Sequence, residues 1–330
     1  MTCTTFAALE HFHIHSLQAK SGVYDYYTAL ERLSNNDGIT KVRDCYKVFN
    51  RSTRQWRHLK MLKRASRGHS PTGVLGTQPG ELSVDCPACP WPDINLPEDW
   101  KEADDNTKFL YWLILCIDAC FRVKRYLVSN TVKDPIVDDG WVYFVAEEPY
   151  KQHLENTCMG LSALDHANTK FSKGYASTGV GAVVCRHELI LRNGVGDLQK
   201  GERYANMDYI FASVLKFRRG TEVFVSYDIM CQWLVHLHER LEELPPTLQI
   251  DLPDKDELRF VIPKLHWYGH KSLGHSRYCI NHVPGGCRND CEGIERRWWD
   301  TQPATNSAKL MGPGGHHLTM NDFWGYTNLA

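Results

Sequence analysis

A chain of 330 residues with 42% hydrophobic, 11% aromatic and 23% charged side chains has the make-up of a soluble globular protein, long enough for one large domain or two ordinary ones. Its formal charge of −1 excludes a global field that would draw it onto nucleic acid or an anionic membrane, so DNA contacts have to come from local basic patches. Twelve scattered cysteines, and an opening "MTCTTFAALEHF" with neither a basic nor an apolar leader region, fit a reducing compartment better than a disulfide framework.

Residues 6–34 place apolar and aromatic side chains at helical spacing, and "NNDG" then breaks the pattern. The stretch 51–69 holds seven Lys or Arg and no acid. Within it Arg54, Arg57, Lys60 and Arg64 recur every three to four residues, as in a basic helical stripe that is either a solvated face or a phosphate-contacting one. Residues 71–99 are rich in Pro and Gly and read as loop. "FLYWLILCI" (109–117) is too short to span a bilayer and suits a buried strand, with Asp118 at its end. A strand pair is expected over 177–195, then a helix in "GERYANMDYIFASVLKFRRG", then a strand in "TEVFVSYDIMCQW" that ends at Asp228. Residues 241–258 read as a surface connection before "FVIPKLHWYGH" resumes the apolar pattern. Glycines at 179–181 belong to a strand, because no helix follows them as a dinucleotide loop requires.

Three constellations could carry chemistry. Asp118 and Asp228 each end an apolar strand, and Glu292 opens a helix in "CRNDCEGIERRWWD" (287–300). Ligands of parallel and mixed sheets bind at the carboxyl ends of strands. Carboxylates converging there make an oxygen cage for Mg²⁺ or Mn²⁺, able to activate water or a 3′-hydroxyl for phosphodiester displacement. The order strand-Asp, strand pair, helix, strand-Asp, helix-Glu is that of an α/β, ribonuclease-H-like core, a mixed sheet flanked by helices. The plain reading of Glu292 is a capping box with Asn289. Second, Cys86 and Cys89 in "DCPACPWP" are half of a tetrahedral structural zinc site, with Cys45, His58 and His69 as nearby candidates to complete it. Third, His266 and His270 stand four apart and could share a metal, joined by Cys231 if the fold brings it close. The HExxH glutamate of zinc proteases is missing.

Long blocks of this chain, among them "WRHLKMLKRASRGH", "PGELSVDCPACPWPDINLPEDW", "CIDACFRVKR", "VSYDIMCQW", "IPKLHWYGH", "DCEGIERRWWD" and "MGPGGHHLTMNDFWGY", resemble the Kyakuja–Dileera–Zisupton transposases, in order from residue 5 to 328. The resemblance implies an Asp-Asp-Glu triad of Asp118, Asp228 and Glu292, with Glu295 in reserve. It also implies metal-dependent DNA cleavage with 3′-hydroxyl strand transfer, a nuclear location, and DNA as partner, with self-association compatible. An N-terminal helical and zinc-knuckle region is expected over 1–100 and the core over 101–330. Cys287 and Cys291 stand where the family pattern has glycine, and a cysteine there resists a glycine-only backbone angle. The chain is read as lacking the preceding cysteine-rich module and as cut short at both ends. The alternatives are an inactive relic or domesticated DNA-binding protein, and a cellular nuclease of the same fold.

Overall fold

The computed structural model describes residues 3–40, 42–158, 174–217, 221–249, 257–271, 274–286 and 288–329. Three helices come first: α1 (Phe6–Ala19), α2 (Val23–Ser34) and α3 (Tyr46–Arg64). A long loop leads to β1 (Leu113–Cys120), β2 (Arg125–Tyr126), α4 (Glu147–Cys158), β3 (Tyr175–Ser177), β4 (Gly179–Cys185) and β5 (Ile190–Leu198). Then follow α5 (Tyr204–Leu215), β6 (Val223–Tyr227), the short α6 (Met230–Trp233), α7 (Leu237–Glu242), α8 (Pro246–Gln249), β7 (Leu258–Val261) and α9 (Lys264–Trp267). The helices α10 (Gly293–Ala308) and α11 (Pro313–Thr327) complete the order. Among the described residues no helix is long and apolar enough to cross a membrane.

Five strands form one sheet in the order β5-β4-β1-β6-β7. β1 pairs antiparallel with β4, and β4 antiparallel with β5, whereas β6 runs parallel to β1 and β7 parallel to β6. This is the ribonuclease-H-like arrangement. β1 shows why both faces need helices. Its alternate residues Leu113, Leu115 and Ile117 enter the core cluster built with α5. Trp112, Ile114 and Cys116 enter the cluster built with α3, α10 and α11. A strand with period two and apolar residues at every position has no solvated side. The β4 and β5 glycines let α5 lie close: a Cβ on Gly181 would come 2.7 Å from Met207 Sδ, and one on Gly196 2.8 Å from Ile210 Cδ1.

The cationic stretch folds largely as α3, with the expected helical spacing and one face turned toward the rest of the chain. Arg57 is buried, with Nη1 3.1 Å from Asp322 Oδ2 on α11 and Nη2 donating to Ser16 Oγ at 2.8 Å. Arg64 reaches the other oxygen of Asp322 at 3.3 Å, and His13 Nε2 lies 2.7 Å from Oδ2. Arg54 pairs with Asp134, and Lys60 with Glu10. The four residues read as a basic stripe, solvated or phosphate-contacting, are each ion-paired within the chain; Arg57 is buried, while Arg54, Lys60 and Arg64 keep partly exposed side chains, and the pairs hold α3 against α1, α11 and the loop at 134. The stretch 241–258, read as a surface connection, is not one throughout. Leu241 of α7, Leu244 in the turn after it and Leu248 of α8 are buried in the α5 core, while 250–256 lie outside the described residues.

Burial alone would raise the Asp322 carboxyl, but His13, Arg57 and Arg64 together hold it below the usual carboxylate range. Removing one partner of a buried pair leaves an uncompensated charge. Asp322→Asn is expected to cost about 3–5 kcal/mol of unfolding free energy, measured by urea titration. A loss below about 1 kcal/mol would mean that α3 is held by apolar packing alone.

Candidate active site and metal centre

The alternation of β1 carries on to Asp118, which by parity belongs to the α10 side of the sheet. Trp298 of α10 meets it there, its Nε1 donating to Asp118 Oδ2 at 2.6 Å. The parallel register pairs Ile117 with Tyr227. Asp118, two residues before the end of β1, and Asp228, just after β6, thus follow the last parallel pair toward the carboxyl ends of the two strands, near enough for Asp118 to feel the Asp228 charge. Asp228 Oδ1 accepts from the Ile229 amide at 2.7 Å. Burial pushes the Asp118 carboxyl up to about 7; the carboxylates of Asp228 and Glu295 add to this, against the lowering hydrogen bonds from Trp298 and the Ala119 amide.

Glu292 occupies the N-cap position of α10, yet no side chain caps that helix. Its Oε1 instead accepts from the Leu265 amide of α9 at 2.6 Å, and its Oε2 is buried without a hydrogen-bond partner. Asn289 Oδ1 serves the Cys291 amide at 3.0 Å, so the expected capping box does not form. Burial raises the Glu292 carboxyl. Glu295, one turn on, has Oε1 3.1 Å from His266 Nε2, and it is the Glu295 charge that Asp118 feels. Trp299 is 76% exposed, whereas Ile294 and Trp298 are buried, as the helical faces require.

One carboxylate escaped the sequence reading. Tyr227 donates to Glu202, whose carboxyl is raised by burial and by nearby Asp228 despite that hydrogen bond. Nothing in the local pattern of "KGERY" marks it; only the approach of this loop to the end of β6 does. Cys291 takes a φ of 58°, the left-handed region that favours glycine, and is buried with its thiol hydrogen-bonded to Cys116 of β1. The strained residue thereby holds the start of α10 against the strand that carries Asp118. Cys287 lies outside the described residues.

The acids suit a hard divalent cation, because a buried unpartnered Glu292 oxygen and mutually repelling carboxylates are conditions that such an ion relieves. Their oxygens are nonetheless spread more widely than a closed cage. Among the described residues, two groups of three or more metal-ligating side chains bring their ligand atoms within 4.8 Å of one another, and neither is this one.

The first such group is Cys86, Cys89, Cys185 and His187, its cysteines all buried. The CxxC half-site is completed by the end of β4 and the turn after it, not by Cys45, His58 or His69. Cys86 Sγ and Cys89 Sγ stand 3.4 and 3.7 Å from His187 Nδ1. Tetrahedral zinc with bonds of roughly 2.3 Å to sulfur and 2.0–2.1 Å to nitrogen separates S and N ligands by about 3.6 Å. The fit is good, and a Cys3His set could bind zinc. Hydrogen bonds with Cys185 and Cys89 hold the Cys86 thiol low, while Cys185 is pushed up to about 12, chiefly by Cys86. Around the knuckle, Trp91 Nε1 donates to Cys86 O at 2.8 Å and Asn95 Nδ2 to Cys89 O at 2.7 Å. The expected His266–His270 pair does not meet: His266 turns to Glu295, and His270 to Cys231 and His275.

Two outcomes test this geometry. The Asp118 carboxyl is raised above its unfolded value near 3.9, so its contribution to stability is complete below about pH 4 and lost as pH rises through about 7. Without added Mg²⁺ or Mn²⁺, wild type should lose more unfolding free energy between pH 5 and pH 8 than Asp118→Asn; equal losses would place the titration elsewhere. His187→Gln and Cys185→Ser should each release about one zinc per chain, measured by elemental analysis, and lower the melting temperature. Unchanged zinc in both would remove them as ligands.

Residues 111–328 match the sequence profile of the Kyakuja-Dileera-Zisupton transposases. Residues 1–38 match a CxC2-like cysteine cluster associated with these transposases, which corrects the expectation that the chain lacks this module, although Cys3 is the segment's single cysteine. No curated protein and no solved structure matches. With most of its length, including Asp118 and Asp228, the "NDCEG" turn (289–293) around Glu292 and the whole five-stranded sheet, inside that profile, the chain belongs to the Kyakuja-Dileera-Zisupton transposase family.

Proposed function

We propose that the chain is the catalytic core of a DDE-type transposase, which cuts DNA at element ends and joins the 3′-hydroxyl to a target in the nucleus. The observation that carries this reading is the pairing of Asp118 and Asp228 at adjacent parallel strand ends, facing the acid-bearing first turn of α10. Asp118, Asp228 and Glu292 would hold Mg²⁺ or Mn²⁺, which when bound supplies Lewis-acid activation of the attacking oxygen and stabilises the leaving one. Trp298 fixes one oxygen of Asp118 and orients the carboxylate. The Leu265 amide does the same for Glu292 Oε1, leaving Oε2 for a ligand role. Glu295 is closer in charge to Asp118 but already engages His266, so it is assigned a flanking role. Of the α3 cations, the partly exposed Arg54, Lys60 and Arg64 are the ones able to reach DNA, in exchange for their internal ion pairs, whereas Arg57 is buried.

A second reading, a relic that binds DNA without cutting it, is favoured by one observation, the buried Cys291 held at a left-handed angle beside the third acid.

Thermal melts with and without millimolar Mn²⁺ separate the readings. At about 100 times its dissociation constant, the ion should stabilise wild type by roughly 2.7 kcal/mol. Asp118→Asn, Asp228→Asn and Glu292→Gln should each lose that gain, and wild type should nick supercoiled DNA. If Glu295→Gln loses the gain and Glu292→Gln keeps it, the third ligand is Glu295. DNA binding with neither Mn²⁺ response nor nicking would establish the relic.

A further inference from the structure

The second group with converging ligand atoms lies apart from the knuckle and outside the acid set. Cys231 Sγ is 3.5 Å from His270 Nδ1, and His270 Nδ1 is 3.3 Å from His275 Nδ1, with all three atoms within 4.8 Å of one another. We propose that Cys231, His270 and His275 form a second zinc site, with three protein ligands and a fourth position for water.

Geometry and donor chemistry support it. With bonds of roughly 2.3 Å to sulfur and 2.0–2.1 Å to nitrogen, a tetrahedral ion sets ligand separations of about 3.6 Å for S and N and about 3.3 Å for two nitrogens. The observed values agree with both. Two imidazoles meeting nitrogen to nitrogen satisfy each other only if one is the donor and one the acceptor, whereas a cation takes both as acceptors together with the thiolate. The donor set, one soft thiolate and two imidazoles, selects zinc over Mg²⁺ or Mn²⁺, so the site does not compete with the acids for their ion.

The three ligands come from separate elements. Cys231 sits in α6, three residues beyond Asp228. His270 follows α9 by three residues, and His275 opens the turn His275–Tyr278. That turn is fastened to the sheet edge, where the Ile262 amide donates to Tyr278 O at 2.9 Å. One helical turn before His270, His266 bonds Glu295, and Leu265 bonds Glu292. An ion here would therefore tie the helix leaving the second aspartate to the segment that grips both glutamates of α10. Its assigned role is positioning, since none of its ligands is one of the reacting acids. The inference does not depend on the chain being an active transposase.

The test is zinc stoichiometry of the full chain, measured by elemental analysis after dialysis in zinc-free buffer. Wild type should carry about two zinc per chain, and Cys231→Ser and His275→Gln about one each. Adding Cys185→Ser to either should bring the count to none. Zinc content in Cys231→Ser and His275→Gln equal to wild type would overturn the site, whatever the knuckle holds. Should these variants fail to fold, cobalt(II) titration of the wild-type chain decides. Saturation at two equivalents, with the second ion giving a one-thiolate charge-transfer band, supports the site. Saturation without that band overturns it.

Discussion

Strand β1 is apolar on both faces, and its two-residue period dictates the rest of the molecule. Odd positions from Leu113 to Ile117 need α5, and even positions from Trp112 to Cys116 need α3, α10 and α11. The first polar side chain of the strand, Asp118, then has no choice of side: it continues the even row and meets α10 through Trp298. Parallel pairing with β6 brings Asp228 alongside without any further device. Slipping β1 by one residue would send Asp118 into the α5 core, where the apolar cluster offers a carboxylate nothing.

Those parts of the fold that depend on local period were legible from the amino acids. The β1 and β6 runs, the helix through Arg54 to Arg64 and the strand pair at 177–195 announce themselves by spacing and composition, and so do the two strand-end aspartates. What spacing does not encode is which face meets which element. The α3 cations repeat every three to four residues whether they face DNA or a buried Asp322, and that partner lies 265 residues away from Arg57. The CxxC pair likewise advertised half a zinc site, but Cys185 and His187 stand about a hundred residues on, in a hairpin turn with no motif of its own. Glu202 was hidden for the same reason, since it meets Tyr227 only where the loop before α5 approaches the end of β6, and His275, though five residues from His270, has no motif spacing that marks the pair as ligands.

Glu292 illustrates a subtler limit. Asn289 and Glu292 have the spacing of a capping box, and helix periodicity separates Glu292 from Trp298. In the folded chain the left-handed turn at Cys291 stands at the start of α10, and Glu292 accepts its hydrogen bond from the Leu265 amide of a neighbouring short helix rather than from its own. A backbone angle at one residue thus overrides a favourable local motif. Both glutamates of the first turn are held from outside α10, Glu292 by Leu265 and Glu295 by His266. The approach of the 264–270 segment is accordingly as much a part of the acid site's geometry as the sheet itself.

The Asp322 cluster has a consequence for how the molecule comes into being. His13 and its carboxylate partner are separated by 309 residues of sequence, and Arg57 and Arg64 wait for the same side chain. During synthesis the first three helices emerge from the ribosome long before the group that neutralises them, with Arg57 still lacking its buried counter-charge. The N-terminal helices can associate among themselves early, but their seat on the sheet closes only when α11 is made. A contact of such range is entropically costly to reach and slow to form. Between the making of β7 and of α11 the sheet face that takes α3, α10 and α11 is incompletely covered, the kind of state in which chaperone capture and aggregation compete with folding.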